Sequence, residues 1–190
     1  MNPQVNKKRN PLKHPDQRVG VFIDVQNMYY SAKNLFGAKV NFGNIVKEAT
    51  AGRKLIRAIA YVVSTESKEE QPFFDALYNV GIETKDKPLQ IFLGGEKKAD
   101  WDVGLAVDAI RFSPGLDAIV LVSGDGDYIP LVEYLRSHGK QVEVIAFGGT
   151  TSGKLIDAAD DFIDLSQDKA KFLIADKRYS NKRPMYPPKK

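Results

Sequence analysis

Cysteine is absent from the 190-residue chain, which removes disulfides, thiolate metal sites and thiol nucleophiles together. Histidine occurs only at His14, in a polar N-terminal stretch, and at His138, just before Gly139. Neither has a sequence neighbour that suggests a catalytic pair. No apolar run approaches the ~18 residues of a membrane-spanning helix. Met1–Arg18 is polar, holds three prolines and lacks the apolar stretch of a secretory leader. These absences point to a cytoplasmic protein with no membrane partner. What is present is ordinary for a globular chain: 43% hydrophobic and 27% charged residues, enough for one domain with a substantial core.

The net charge of +4 conceals a segregation. Residues 1–18 carry five Lys/Arg and one Asp, and residues 167–190 carry eight and two, giving +4 and +6. Residues 19–166 then hold 15 basic and 21 acidic residues, a net of −6. Basic, Pro-containing tails (1–18 and 167–190) on an acidic body (19–166) suit a polyanionic partner reached by the tails, or simple solubilisation. A homo-oligomer is compatible with this composition.

Between the tails, apolar runs alternate with helical spacing. Val19–Val25, Leu55–Val63, a short segment within Ile82–Leu93 broken by Lys87 and Pro88, Ala118–Val122, Val142–Phe147 and Phe162–Leu165 are expected strands. Helices are expected over Phe42–Ala51, from Ser67 to Gly81, over Ala99–Phe112 and Ile129–Ser137, and around Leu155–Ala158. Such alternation calls for a mainly parallel sheet covered on both faces. Ligands of these sheets bind at the carboxyl ends of the strands, where the strand order reverses. That selects Asp24, Asp125 and the loop after Phe147 as neighbours.

Asp24 lies inside the apolar run VFIDV, where an unpaired carboxylate is costly to bury. Asp125 and Asp127 flank Gly126 directly after the strand AIVLV, and Asp102 lies near the start of the preceding helix. Taken singly, Asp125 or Asp127 also suits a helix N-cap. As a converging set the four repel, and they persist by sharing protons or by holding a cation. Oxygen ligands without Cys or a suitable His favour Mg²⁺ or Mn²⁺.

The segments FIDVQN, KADWDVGLAVD and SGDGDY, in this order and spacing, resemble the NYN domain family of PIN-like proteins, on its LabA-like (DUF88) branch. The resemblance covers about Val19 to Leu165. It implies a PIN-like three-layer sandwich with sheet order 3-2-1-4-5, and Mg²⁺-dependent ribonuclease activity on RNA. It also places Asp24, Asp102, Asp125 and Asp127 in the acidic site as metal ligands and catalytic residues, with Asn27 as a further catalytic residue and Ser123 as a nucleic-acid contact. Asp108 lies about 240° round the helix from Asp102, away from that site, and pairing with Arg111 accounts for it. Some related domains carry a further acid after the second strand; here only Glu66 is nearby, and displaced.

Lys97 and Lys98 precede the Asp102 helix and either neutralise phosphates or sit solvated. Trp101 either stacks on a base or packs, and Tyr29 and Tyr30 either line the groove or half-bury. Gly148–Lys154 (GGTTSGK) matches GxxxxGK but continues with Leu155, where a P-loop needs Ser or Thr for its metal. Its expected use is a helix start beside the site, with Thr150, Thr151, Ser152 and Lys154 accepting a backbone phosphate. Three functions follow: a metal-dependent ribonuclease, a nucleic-acid-binding or regulatory module of the same fold, and a P-loop-like nucleotide hydrolase.

Overall fold

The computed structural model describes residues 13–64, 70–88, 90–91, 97–98 and 100–175. The elements run β1 (Arg18–Asp24), α1 (Val25–Phe36), β2 (Ala38–Val40), α2 (Phe42–Thr50), β3 (Lys54–Ser64) and α3 (Gln71–Asn79). There follow β4 (Glu83–Pro88), β5 (Gln90–Ile91), β6 (Lys97–Lys98), α4 (Asp102–Phe112), β7 (Ala118–Val122) and α5 (Ile129–Ser137). The chain then forms β8 (Gln141–Ala146), α6 (Gly153–Ala158), β9 (Asp161–Asp164), α7 (Lys169–Phe172) and β10 (Leu173–Ala175).

The main sheet has the order β4-β3-β1-β7-β8-β9, and every neighbouring pair is parallel. This is the expected 3-2-1-4-5 arrangement with the last apolar strand added outside the fifth. The chain reverses direction across the sheet between β1 and β7, so the switch point lies beside the carboxyl end of β1. β4 runs through Lys87 to Pro88 rather than breaking there. It is an edge strand, paired only with β3, and an edge tolerates proline. The helix start expected at Ser67 lies outside the described residues.

Strand alternation sorts the side chains into two cores. Val19, Val21 and Ile23 of β1 join Met28 and Ala32 of α1, Ile45 and Val46 of α2 and Leu77 of α3 on one face. Phe22 joins Leu105 and Ala109 of α4, Val132 and Leu135 of α5 and Leu155 of α6 on the other. Gly20 shares the parity of Phe22, and Leu116 fills its place: a Cβ there would lie 2.4 Å from Leu116 Cδ1. Asp24 has the same parity, so the pleat aims it toward α4 and α5.

The packed body passes the expected limits of 19–166 at both ends. Lys13 lies 3.2 Å from both Glu143 and Asp161. Beyond Ser166, in the expected tail, Phe172 is buried in the α1–α2 core and β10 pairs antiparallel with β2. Three-residue strands carry too little periodicity to show in a sequence.

Candidate functional site

Asp24 ends β1 and caps α1, accepting from Asn27 N at 3.0 Å. Only 9% of the residue is exposed. Its second oxygen accepts from Ser123 Oγ at 3.2 Å, and that hydroxyl in turn accepts from Asp125 N at 3.2 Å. Asn27 Oδ1 accepts from Gly124 N at 3.0 Å. Two side chains at the switch point thus bind the end of β1 to the loop after β7.

Asp102 stands in the first turn of α4. Tyr128 is buried beneath the site; its hydroxyl donates to Asp102 Oδ1 at 3.0 Å and lies 3.5 Å from Asp24 Oδ2. Asp125 accepts from Asp127 N at 3.0 Å, the capping role that its junction position allows. Burial first, then the charges of Asp102 and Asp125, push the Asp24 carboxyl up to about 6. Asp102 is raised as well, by burial and by Asp100, Asp125 and Asp127.

Asp24, Asp102 and Asp125 line one cavity of about 430 Å³, together with Asp100, Thr150 and the α1 residues Gln26, Asn27, Tyr30, Ser31 and Asn34. The described lining includes no lysine or arginine. Asp127 is exposed and does not line the cavity, although its charge reaches Asp102. Among the described residues no three His, Cys, Asp or Glu side chains are grouped so as to hold a metal ion.

Several expected contacts are corrected by the fold. Ser123 is fully buried between Asp24 and Asp125, so it orders the carboxylates and does not face a nucleic acid. Part of the Gly148–Lys154 backbone is engaged within the fold: Gly148 N bonds Asp164, Thr150 N bonds Phe147 O and Ser152 N bonds Gly124 O. The Thr150 and Thr151 hydroxyls turn back to Phe147 O at 3.2 and 2.8 Å. The loop instead buttresses the site: a Cβ on Gly124 would lie 2.9 Å from Thr151 Oγ1 and 3.1 Å from its Cα. Lys154 is exposed at the start of α6.

Trp101 packs: its Nε1 donates to Val62 O at 2.8 Å and its ring meets Tyr61 edge-on. Asp108 is away from the cavity, as its helical angle requires. It accepts from Tyr61 at 2.9 Å and Lys85 at 2.6 Å, with Arg111 farther off at 3.7 Å. Lys97 and Lys98 pair with β5 through their backbones; their side chains, and Glu66, lie outside the described residues. Sequence reasoning missed Tyr128, Asp100, Gln26 and Asn34. Gln26 and Asn34 carry a signal, the four-residue spacing that sets Gln26, Tyr30 and Asn34 on one face of α1.

The NYN domain family matches residues 18–166. The chain is 27% identical over 158 residues to the low amplitude and bright protein LabA of Synechococcus elongatus, covering 78% of this chain and 84% of that one. An uncharacterized protein of Methanocaldococcus jannaschii is 29% identical over 160 residues, 80% of this chain and 57% of the relative. A crystal structure of a Vibrio parahaemolyticus protein of unknown function superposes with a TM-score of 0.77 at 32% identity, covering 86% of this chain and 99% of the other. With the three motifs on one parallel sheet and the family match over most of its length, the chain belongs to the NYN domain family of PIN-like proteins.

Proposed function

We propose that the protein is a cytoplasmic ribonuclease that cleaves the RNA phosphodiester backbone with Mg²⁺ or Mn²⁺ held by its aspartates. The observation that carries this reading is the meeting of Asp24, Asp102 and Asp125 on one cavity without a cationic side chain in its described lining. A carboxylate as buried as Asp24, raised by burial and by two neighbouring charges, gains from a cation. The donors are all oxygens, the chemistry of a hard divalent ion. Mg²⁺ commonly takes one or two carboxylates and completes its shell with water and substrate phosphate. Two carboxylates of the cavity, Asp24 and Asp102, suffice for that mode.

The chemistry that a divalent ion would supply there is polarisation of the scissile phosphate and acidification of an attacking water. Asp24 and Asp102 are the residues that would hold it, kept in place by Tyr128 and Ser123. Asp125, with one oxygen engaged by Asp127 N, has the other available to orient or deprotonate the water. Asn27 fixes the Gly124 backbone and so the position of Asp125. No helix among the described residues is long and apolar enough to cross a membrane, and the chain is cysteine-free, in keeping with a cytoplasmic role.

Cleavage of a labelled RNA in Mn²⁺ and in EDTA tests the reading. Asp125→Asn should keep the fold and slow cleavage about a hundredfold or more. Near wild-type cleavage by Asp125→Asn, in a preparation free of other nucleases, would rule out this site. The second reading, a nucleic-acid-binding or regulatory module with little turnover, draws on the engagement of both Asp24 oxygens, by Asn27 N and by Ser123 Oγ. It requires RNA binding that EDTA leaves unchanged and no Mn²⁺-dependent cleavage.

A further inference from the structure

The α1 wall of the cavity divides into committed and uncommitted groups. Asn27 is tied to Asp24 and Gly124, and the Ser31 hydroxyl lies 2.9 Å from Thr150 Oγ1. Gln26, Tyr30 and Asn34, one helical turn apart, also line the cavity. Among the described residues neither amide, nor the Tyr30 hydroxyl, has a hydrogen-bond partner. Tyr30 is left 50% exposed, with its ring braced edge-on by Tyr29 at a centroid distance of 5.4 Å.

An exposed aromatic ring between two unpaired amides, facing carboxylates, is poorly suited to phosphate. With no lysine or arginine in the described lining, a second phosphate there would meet only like charge. A nucleobase meets the wall's chemistry: it is neutral, offers a π-face to tyrosine, and carries edge donors and acceptors that match amides. A base still stacked in a duplex cannot present that face.

We infer that Gln26, Tyr30 and Asn34 form a nucleobase subsite, in which Tyr30 stacks on an unpaired base beside the scissile phosphate and the two amides bond its edge. The placement beside a scissile phosphate rests on the nuclease reading above; the base subsite itself does not. Tyr30 is then a specificity-determining residue, and the amides select among bases.

The test is anisotropy of a labelled single-stranded RNA octamer and of its fully abasic counterpart, in Ca²⁺, with strand integrity checked on a gel. Wild-type protein should bind the base-bearing strand about tenfold more tightly than the abasic one. Tyr30→Ala should lose that margin by weakening only the base-bearing strand, and Tyr30→Phe should retain it. Gln26→Ala with Asn34→Ala should flatten any preference among homopolymer sequences. Equal binding of both strands by the wild type, or equal weakening of both by Tyr30→Ala, overturns the subsite. Cleavage in Mn²⁺ is measured in parallel, so that the two readings fail separately. Base-dependent binding without cleavage supports the subsite and removes the nuclease, whereas cleavage with base-indifferent binding overturns the subsite alone.

Discussion

The two ends of the sheet treat charge in opposite ways. At the amino ends of the strands every prominent acid has a cation: Arg18 with Asp117, Arg136 with Asp160, Lys54 with Asp16, and Arg53 with Glu143. Arg53 and Glu143 have fully buried side chains, and the guanidinium spans both carboxylate oxygens and Ala49 O. At the carboxyl ends, Asp24, Asp102 and Asp125 share a cavity with no cation in its described lining. Arg18 holds the Asp117 carboxyl down to about 2, while burial and like charge hold Asp24 up at about 6. One end has its charges neutralised by its own side chains. The other gathers like charge without a cation in its described lining, and perturbed carboxylates of that kind are what the proposed metal site rests on.

The largest expected effect tests the paired end. Glu143→Ala leaves Arg53 buried without its partner and should cost about 3–5 kcal/mol of stability, read by urea unfolding. A loss below 1 kcal/mol would mean that solvent reaches Arg53 freely.

The unpaired end should respond with the opposite sign. The folded Asp24 pKa lies above the ordinary 3.8, so the native state binds the extra proton. Metal-free stability should therefore fall as pH rises from about 4 to 6, by about 3 kcal/mol if burial is undiminished. Asp24→Asn removes this slope and keeps the α1 cap, since asparagine caps as well as aspartate. In EDTA at neutral pH the variant should melt higher than wild type, and Mn²⁺ should raise its melting temperature less. A lower melting point with an intact Mn²⁺ shift would show that Asp24 serves only as a cap.

The cationic charge missing from the acidic end is abundant at the C-terminus. Residues 177–190 carry six Lys/Arg and no acid. Their deletion should weaken RNA binding about tenfold at low salt and flatten the dependence of log affinity on log salt. An unchanged slope would show that they make no phosphate contacts.

The smallest effect belongs to the exposed pair. Asp117→Asn should cost less than about 1 kcal/mol, because water and salt screen Arg18 and Asp117 at the surface. It should leave RNA cleavage unchanged, in contrast with Asp125→Asn at the other end of the same sheet. A comparable loss of cleavage from both would dissolve the distinction between the ends.

Much of this molecule is determined locally. The runs AIVLV and IPLVEYLRS specify β7 and α5 to the residue, because burial of a whole strand and a helical apolar stripe are periodic signals in the chain itself. Asp24 announces itself by the cost of a carboxylate in an apolar strand, and Asp125 and Asp127 by their place after β7. Other features have no local signal. Nothing in the neighbours of Tyr128 shows that its hydroxyl lies between carboxylates of β1 and α4, and LIA acquires a strand identity only by meeting β2. The glycine loop after β8 has the spacing of a phosphate cradle, yet tertiary contacts tie Ser152 N to Gly124 O and Gly148 N to Asp164. Periodicity and residue type determined which segments fold and which carboxylates are costly. Only the packing of β1, β7 and α4 decided which of them share a cavity, because hydrogen-bond partners and repelling charges come from residues as many as 104 positions apart.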